Sequence, residues 1–306
     1  MGTNATLTVN EKREARALMP DVAWPTVALG VAVTSLHWLM VWAALTGRVP
    51  LWSVTIPLGW TAYAHYTLVH ESVHGNIVRA SRHKGLIHTA VGWYASLFLF
   101  GNWPLLSRTH KAHHSHVNTD MDPDIFTKGT WAQMTWGYVT RRIVILLFPM
   151  ILVRMFQRDR SHSKGYVNAS EIMTRSERIQ HFTVDALLSA LVWTAVFTGW
   201  GAEAFALYVI PAGIGGYLLT LLFQWLPHHP FTGTGRYDAT RNSGVDAANG
   251  FMLFQNWHLM HHLWPGVPWY NYRRLHRAIR PALEAKGARH EDGLWIRPDA
   301  KPKATA

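Results

Sequence analysis

Nine of the 19 histidines in this 306-residue chain fall into four groups whose spacing suits metal binding. His70 and His74 form a His-x-x-x-His pair. His110, His113 and His114 form His-x-x-His-His, and His258, His261 and His262 repeat that pattern. His228 stands apart, followed by His229. Residues three and four apart share one face of a helix, so each cluster projects its imidazoles in one direction. Imidazole suits iron, zinc, copper or nickel. A single zinc needs only three or four ligands, so nine converging imidazoles imply two metals. A lone histidine is ordinarily a hydrogen-bonded core or surface residue, and His37, His65, His83, His88, His162, His181, His276 and His290 are read that way. His116 and His229 are intermediate, as ligands or as neighbours of ligands.

Clusters so separated in sequence need a scaffold that gathers them, and the apolar residues supply its outline. The chain is 49% hydrophobic and 15% charged, with no cysteine. That excludes disulfide scaffolds, thiolate metal sites and iron–sulfur clusters, and the aromatic content excludes a disordered chain. Four stretches reach the length that crosses a bilayer: residues 22–46, 51–69, 182–200 and 202–226. The first two are joined by Gly47-Arg48-Val49-Pro50 and the last two by a turn at Gly201. The expected fold is therefore all-α and membrane-integral, with four transmembrane helices as two hairpins. A cytoplasmic helical cap, residues 70–181 and 227–300, carries the histidine clusters. Segments 86–106 and 136–156 are apolar but interrupted, and are read as interfacial or half-inserted; six spans is the competing topology. Of 29 lysines and arginines, only Arg48 lies at a hairpin tip. The positive-inside rule then places both termini and the clusters in the cytoplasm, with a bacterial inner membrane as the expected setting. The net charge of +11 marks that orientation and does not point to nucleic acid. The first span is too long for a signal-peptide core and is expected to be retained.

His-x-x-x-His and two His-x-x-His-His clusters around two helical hairpins resemble the membrane fatty acid desaturase and hydroxylase superfamily. The resemblance covers roughly residues 50–280. It extends to Asn118-Thr119 and Asp122-Pro123-Asp124 after the second cluster, and to His262-Leu263-Trp264-Pro265 after the third. It implies a non-haem centre of two iron ions that activates O2 against an unactivated C–H bond. In acyl-CoA desaturases of this superfamily an Asn-x-x-x-His pair supplies a further ligand and a water contact. His228 matches that ligand, while Gln224 replaces the asparagine. Gln255-Asn256-Trp257-His258 through Pro268-Trp269-Tyr270, with Pro227-His228-His229-Pro230, is most similar to the cyanobacterial-type β-carotene hydroxylases. The implied reaction is hydroxylation of a carotenoid ring; the alternative is a fatty acyl desaturase.

Ligating imidazoles normally donate their other N–H to an outer acceptor. Glu71, Asp120, Asp122 and Asp124 are near enough in sequence to accept, although Asp-Pro-Asp is equally good turn chemistry. Asn118 and Asn256 are candidates to hold a metal-bound water or to fix a cluster. Trp103, Trp225, Trp257, Trp264, Trp269 and Tyr270 would suit the wall of a long apolar ligand. O2 chemistry of this kind consumes two electrons, and the chain carries no motif for a redox carrier of its own. An external donor such as ferredoxin is expected, with Arg273, Arg274, Arg277 and Arg280 as its docking face or, alternatively, as contacts to anionic membrane lipid. Gly213-Ile214-Gly215-Gly216 is read as close helix packing. A di-haem membrane cytochrome and a metal transporter are the rivals from other classes, but both would place their ligands within the spans.

Overall fold

In the computed structural model, residues 11–124, 129–147 and 172–295 are described. Helices α1 (Trp24–Leu45) and α2 (Thr55–Val73) form the first hairpin. Helices α3 (Lys84–Leu97), α4 (Trp103–His116) and α5 (Trp131–Leu147) follow, then α6 (Arg175–Phe197) and α7 (Gly201–His228). The short α8 (His258–Leu263) and amphipathic α9 (Tyr272–Ala285) complete the helical set used here. Two-residue strands β1 (Asn242–Ser243) and β2 (His290–Glu291) pair in parallel and tie the C-terminal segment down.

Among the described residues three helices are long and apolar enough to cross a membrane: α1, α6 and α7. The expected fourth span, 51–69, folds as a short 3₁₀ turn at Leu51–Val54 and then α2. Helix α2 falls short of the others in apolarity because it carries Thr61, His65 and Thr67. Its position explains that composition. Fifteen of its 19 residues are buried, against four of the 22 in α1. A helix wrapped by its neighbours can hold polar groups that pair across helices. His37 Nδ1 and Thr61 Oγ1 lie 2.8 Å apart, and His65 Nε2 and Thr34 Oγ1 lie 3.1 Å apart. The outer helices instead turn Val31, Leu36, Leu39, Leu187 and Leu191 outward.

Helices α2 and α7 approach closely because both present small residues. A Cβ on Gly215 would stand 2.7 Å from the Ala62 Cβ and 3.0 Å from the Gly59 carbonyl oxygen. This is the packing expected from the glycine run in α7. That helix also contains two π-helical segments, Phe205–Val209 and Leu219–Trp225. Each runs up to a proline, Pro211 or Pro227. A proline ring cannot donate the helical hydrogen bond and crowds the preceding turn, so local widening relieves it. The turn between α6 and α7 falls at Gly199, whose φ of 90° needs a glycine; Gly201 instead begins α7.

Segment 86–106 divides into α3 and α4, each 14 residues or about 21 Å long, too short to span. Asn102 makes the break: its Oδ1 accepts from Leu105 N at 3.0 Å and caps α4. For segment 136–156, α5 covers the beginning, and 148–156 lie outside the described residues.

Candidate metal centre

Each histidine group sits at the end of an element fixed by packing elsewhere. His70 lies in the last turn of α2 and His74 is its C-cap residue, with ring centroids 4.8 Å apart. His110, His113 and His114 occupy the last turns of α4, and His228 ends α7. Helix α8 carries His258, His261 and His262. Its approach is set by Leu253 and Phe254, two successive left-handed residues with φ of 50° and 60°. The α4 helix is anchored against α6 well away from the imidazoles. Asn102 Nδ2 donates to Asp185 at 3.0 Å and meets His181 Nδ1 at 2.7 Å, while Arg108 pairs with Glu177.

The nine imidazoles come together as two quartets. His70, His74, His110 and His261 form one; His113, His228, His258 and His262 form the other. Within each, ligand atoms lie within 4.8 Å of one another, and His114 joins His261 and His262 in a third such group. In the first quartet Nε2–Nε2 separations are 3.0 Å for His70–His261 and 2.9 Å for His74–His110. In the second they are 3.1 Å for His228–His258, 3.1 Å for His258–His262 and 3.3 Å for His113–His262. His114 Nε2 lies 3.2 Å from that of His110 and 2.7 Å from that of His261.

These contacts test whether the residues suit a metal. A ring nitrogen offers one in-plane direction, holding either a proton or a lone pair. His110, His258 and His261 each aim Nε2 at two other Nε2 atoms. A hydrogen bond can satisfy only one of those two neighbours. A cation at the focus satisfies every lone pair at once. Ligand atoms about 2.1 Å from a metal stand about 3.0 Å apart at right angles and about 3.4 Å apart in a tetrahedron. The observed spacings suit that use, and the donor set fits two metals.

Burial, reinforced by neighbouring imidazoles, holds His74, His110, His114, His258, His261 and His262 well below the usual histidine range. Neutral imidazole is the ligand form. His113 differs. Burial lowers it, but the hydrogen bond to Asp122 and the charge of Asp124 outweigh burial and raise it.

Asp122 accepts from His113 Nδ1 at 2.9 Å, leaving Nε2 directed at the quartet. It also accepts from the backbone N–H groups of Asn118 and Asp124, each at 2.9 Å. Asp124 Oδ1 accepts from Gln224 Nε2 at 3.0 Å. The fully buried Glu71 places a carboxylate oxygen 3.3 Å from His70 Nδ1. Asn118 donates instead to Gly233 O and Ala239 O, both at 2.7 Å, and Asn256 donates to Ser243 O at 2.9 Å. Both amides fix loops around the clusters. His116 and Asp120 are exposed and, among the described residues, are not brought to the quartets. His229 stacks on Trp225 at 4.4 Å. Of the aromatics expected to wall a ligand, Trp225 lines a cavity of about 160 Å³ beside His113, Asp124, Gln224 and His228. Trp257 and Trp269 are instead core residues, and Trp103 packs against that core. Arg273 pairs with Asp246 and Arg280 with Glu284, leaving Arg274 and Arg277 as the exposed cations of that set outside these pairs.

Three supporting residues carry no spacing signal in the sequence. Asn76 donates to Pro265 O at 2.9 Å and accepts from Arg79 at 2.6 Å, strapping the first cluster to the loop after the third. Tyr272 reaches His261 Nδ1 at 3.1 Å.

A helical protein with membrane-length apolar helices and nine histidines gathered into a buried polyimidazole site is the class these features define. The family model "Fatty acid desaturase" matches residues 47–293, and the chain belongs to that family; it is an oxidoreductase. It is 23% identical to a beta-carotene ketolase of Paracoccus sp. (strain PC1) over 82% of this chain and 90% of the ketolase. It is also 23% identical to the chloroplastic sn-2 acyl-lipid omega-3 desaturase (ferredoxin) of Helianthus annuus, over 88% of this chain and 66% of that protein. Against a Delta(12)-oleate desaturase of Trichosanthes kirilowii the identity is 25%, over 86% of this chain and 70% of the relative.

Proposed function

We propose that this chain is a two-iron, O2-dependent membrane enzyme that oxidises an unactivated C–H bond of a long apolar lipid, with a carotenoid ring as substrate. The observation that carries the reading is the pair of histidine quartets joined through His114 and His261. The nine imidazoles would hold two irons, which would supply O2 activation when bound. Asp122 holds His113 with Nε2 directed at the metal position, and six of the nine imidazoles are buried. In this reading Asp122 accepts the outer N–H of His113, and Glu71 sets a carboxylate beside the outer nitrogen of His70. Helix α2 serves as the fourth spanning helix, shielded from lipid by its neighbours, and the clusters face the cytoplasm of a bacterial inner membrane.

One comparison favours a ring over an acyl chain. The match covers 90% of the ketolase but 66% and 70% of the two plant desaturases. The cavity of about 160 Å³ beside His113 and His228 lies next to the second quartet and is the place where a substrate C–H bond would meet the site. Fatty acyl desaturation is the second reading, favoured by the several desaturases among the relatives. Electrons come from an external acidic carrier of the ferredoxin kind, docking at Arg274 and Arg277.

Metal analysis of purified protein should give two irons per chain; one zinc per chain would defeat the proposal. Expression in a β-carotene-producing host should yield pigment with new ring oxygen. New acyl double bonds with unchanged pigment would select the alternative.

A further inference from the structure

His261 belongs both to the first quartet and to the group it forms with His114 and His262, so its orientation affects both halves of the site. Its Nε2 faces His70 at 3.0 Å and His114 at 2.7 Å. A neutral imidazole carries one N–H. If Nε2 is to offer a lone pair, the proton must sit on Nδ1 and needs an acceptor within the buried interior around His261. The atom found there is the Tyr272 hydroxyl oxygen, 3.1 Å away. Tyr272 is fully buried, and a tyrosine oxygen can accept as well as donate.

The protein holds that oxygen firmly. Tyr272 is the first residue of α9, whose inward stripe of Tyr272, Leu275, His276, Ile279 and Leu283 is buried. Asn271, immediately before it, donates to Leu18 O at 3.0 Å. The phenol is therefore set by a whole packed helix, 11 residues beyond the histidine it touches.

We infer that Tyr272 is a positioning residue: its hydroxyl oxygen accepts the Nδ1–H of His261 and fixes the tautomer and ring orientation with which that imidazole binds metal. This rests on the two-metal reading above. It differs from Asp122 in chemistry, because a neutral phenol orients its histidine without adding charge.

The test is Tyr272→Phe, which removes only the oxygen. Iron affinity is measured by competition with a chelator, and unfolding of the metal-free protein is measured alongside it. Loss of an outer partner of this kind typically costs about 10–100-fold in metal affinity, and that weakening is expected for Tyr272→Phe. Cobalt(II) loaded in place of iron should show an altered visible spectrum, reporting a changed ligand field. Wild-type iron affinity and an unchanged cobalt spectrum in the variant would overturn the inference, even if the metal-free protein were less stable, since that would show a packing role only. Wild-type protein that takes up neither metal would overturn the two-metal reading and this inference with it.

Discussion

Asp122 sets the tautomer of His113 because a ring that donates from Nδ1 has only Nε2 left for a metal. It is itself fixed by two backbone donors, Asn118 N and Asp124 N. Replacing it with asparagine keeps the shape but removes the charge that raises His113. Asp122→Asn should weaken iron binding by about 10-fold or more, read by chelator competition. His113→Ala and His261→Ala should abolish turnover while the protein still inserts into membranes. Retained activity in either would show that the clusters are structural. The residues Asp122, Asp124 and Glu71 were identifiable in the sequence because they lie within a few positions of a cluster. Asn76, Arg79 and Tyr272 were not, since each acts on a group brought near by another segment.

At the scale of elements, α4 is held by a side chain distant from its histidines. Asn102 caps the helix and also donates to Asp185 on α6. Asn102→Ala should lower stability by about 1 kcal/mol from the lost cap alone, with more from the lost buried bond to Asp185. Thermal unfolding in detergent checks this, and iron retention should fall with it. Helix α9 makes a separate prediction. Burial, with the nearby charges of His290 and Arg280, pushes His276 down to about 4, and its ring packs 4.8 Å from those of Trp257 and His290. Arg277 lowers it further and Glu284 opposes the shift. Between about pH 6.5 and 4 the unfolded chain holds a proton on this residue that the folded chain lacks. Its contribution is therefore intact above pH 6.5, and stability falls as pH drops toward 4, by about 3 kcal/mol in all. His276→Phe should flatten that part of the stability–pH curve. An unchanged slope would show that other groups set it.

Across the whole molecule, chemistry and scaffold are segregated. The outward surfaces of α1 and α6 are apolar, the interior helix α2 holds polar pairs, and the histidines meet where α2, α4, α7 and α8 end. On the proposed two-metal reading, metal would bind only the gathered state, so chelation should lower the unfolding midpoint, in proportion to the logarithm of free metal over its dissociation constant. A midpoint unmoved by chelation would show that the quartets do not couple to the fold. The basic surface makes the other prediction at this scale. Arg274→Glu combined with Arg277→Glu should slow reduction by an acidic carrier and weaken its salt dependence, while chemical reduction stays unchanged. Equal carrier rates would place docking elsewhere.

The sequence alone determined the nine clustered imidazoles and their grouping on helix faces. Those depend on residue identity and on a 3.6-residue period, which are local properties. It also located the apolar helices, although α2 departed from the expected apolarity. An enclosed helix is free to carry Thr61 and His65, and enclosure is not visible along one strand of chain. Only the tertiary structure decided how four groups sort into two quartets, with His261 beside residues of the first cluster and His228 beside residues of the second and third. It likewise separated Asp122, which reaches His113, from Asp120, which faces solvent two residues away. Such pairings depend on which chain ends the packing brings within 3 or 4 Å, and sequence separations of 191 residues, as between His70 and His261, carry no local trace of it.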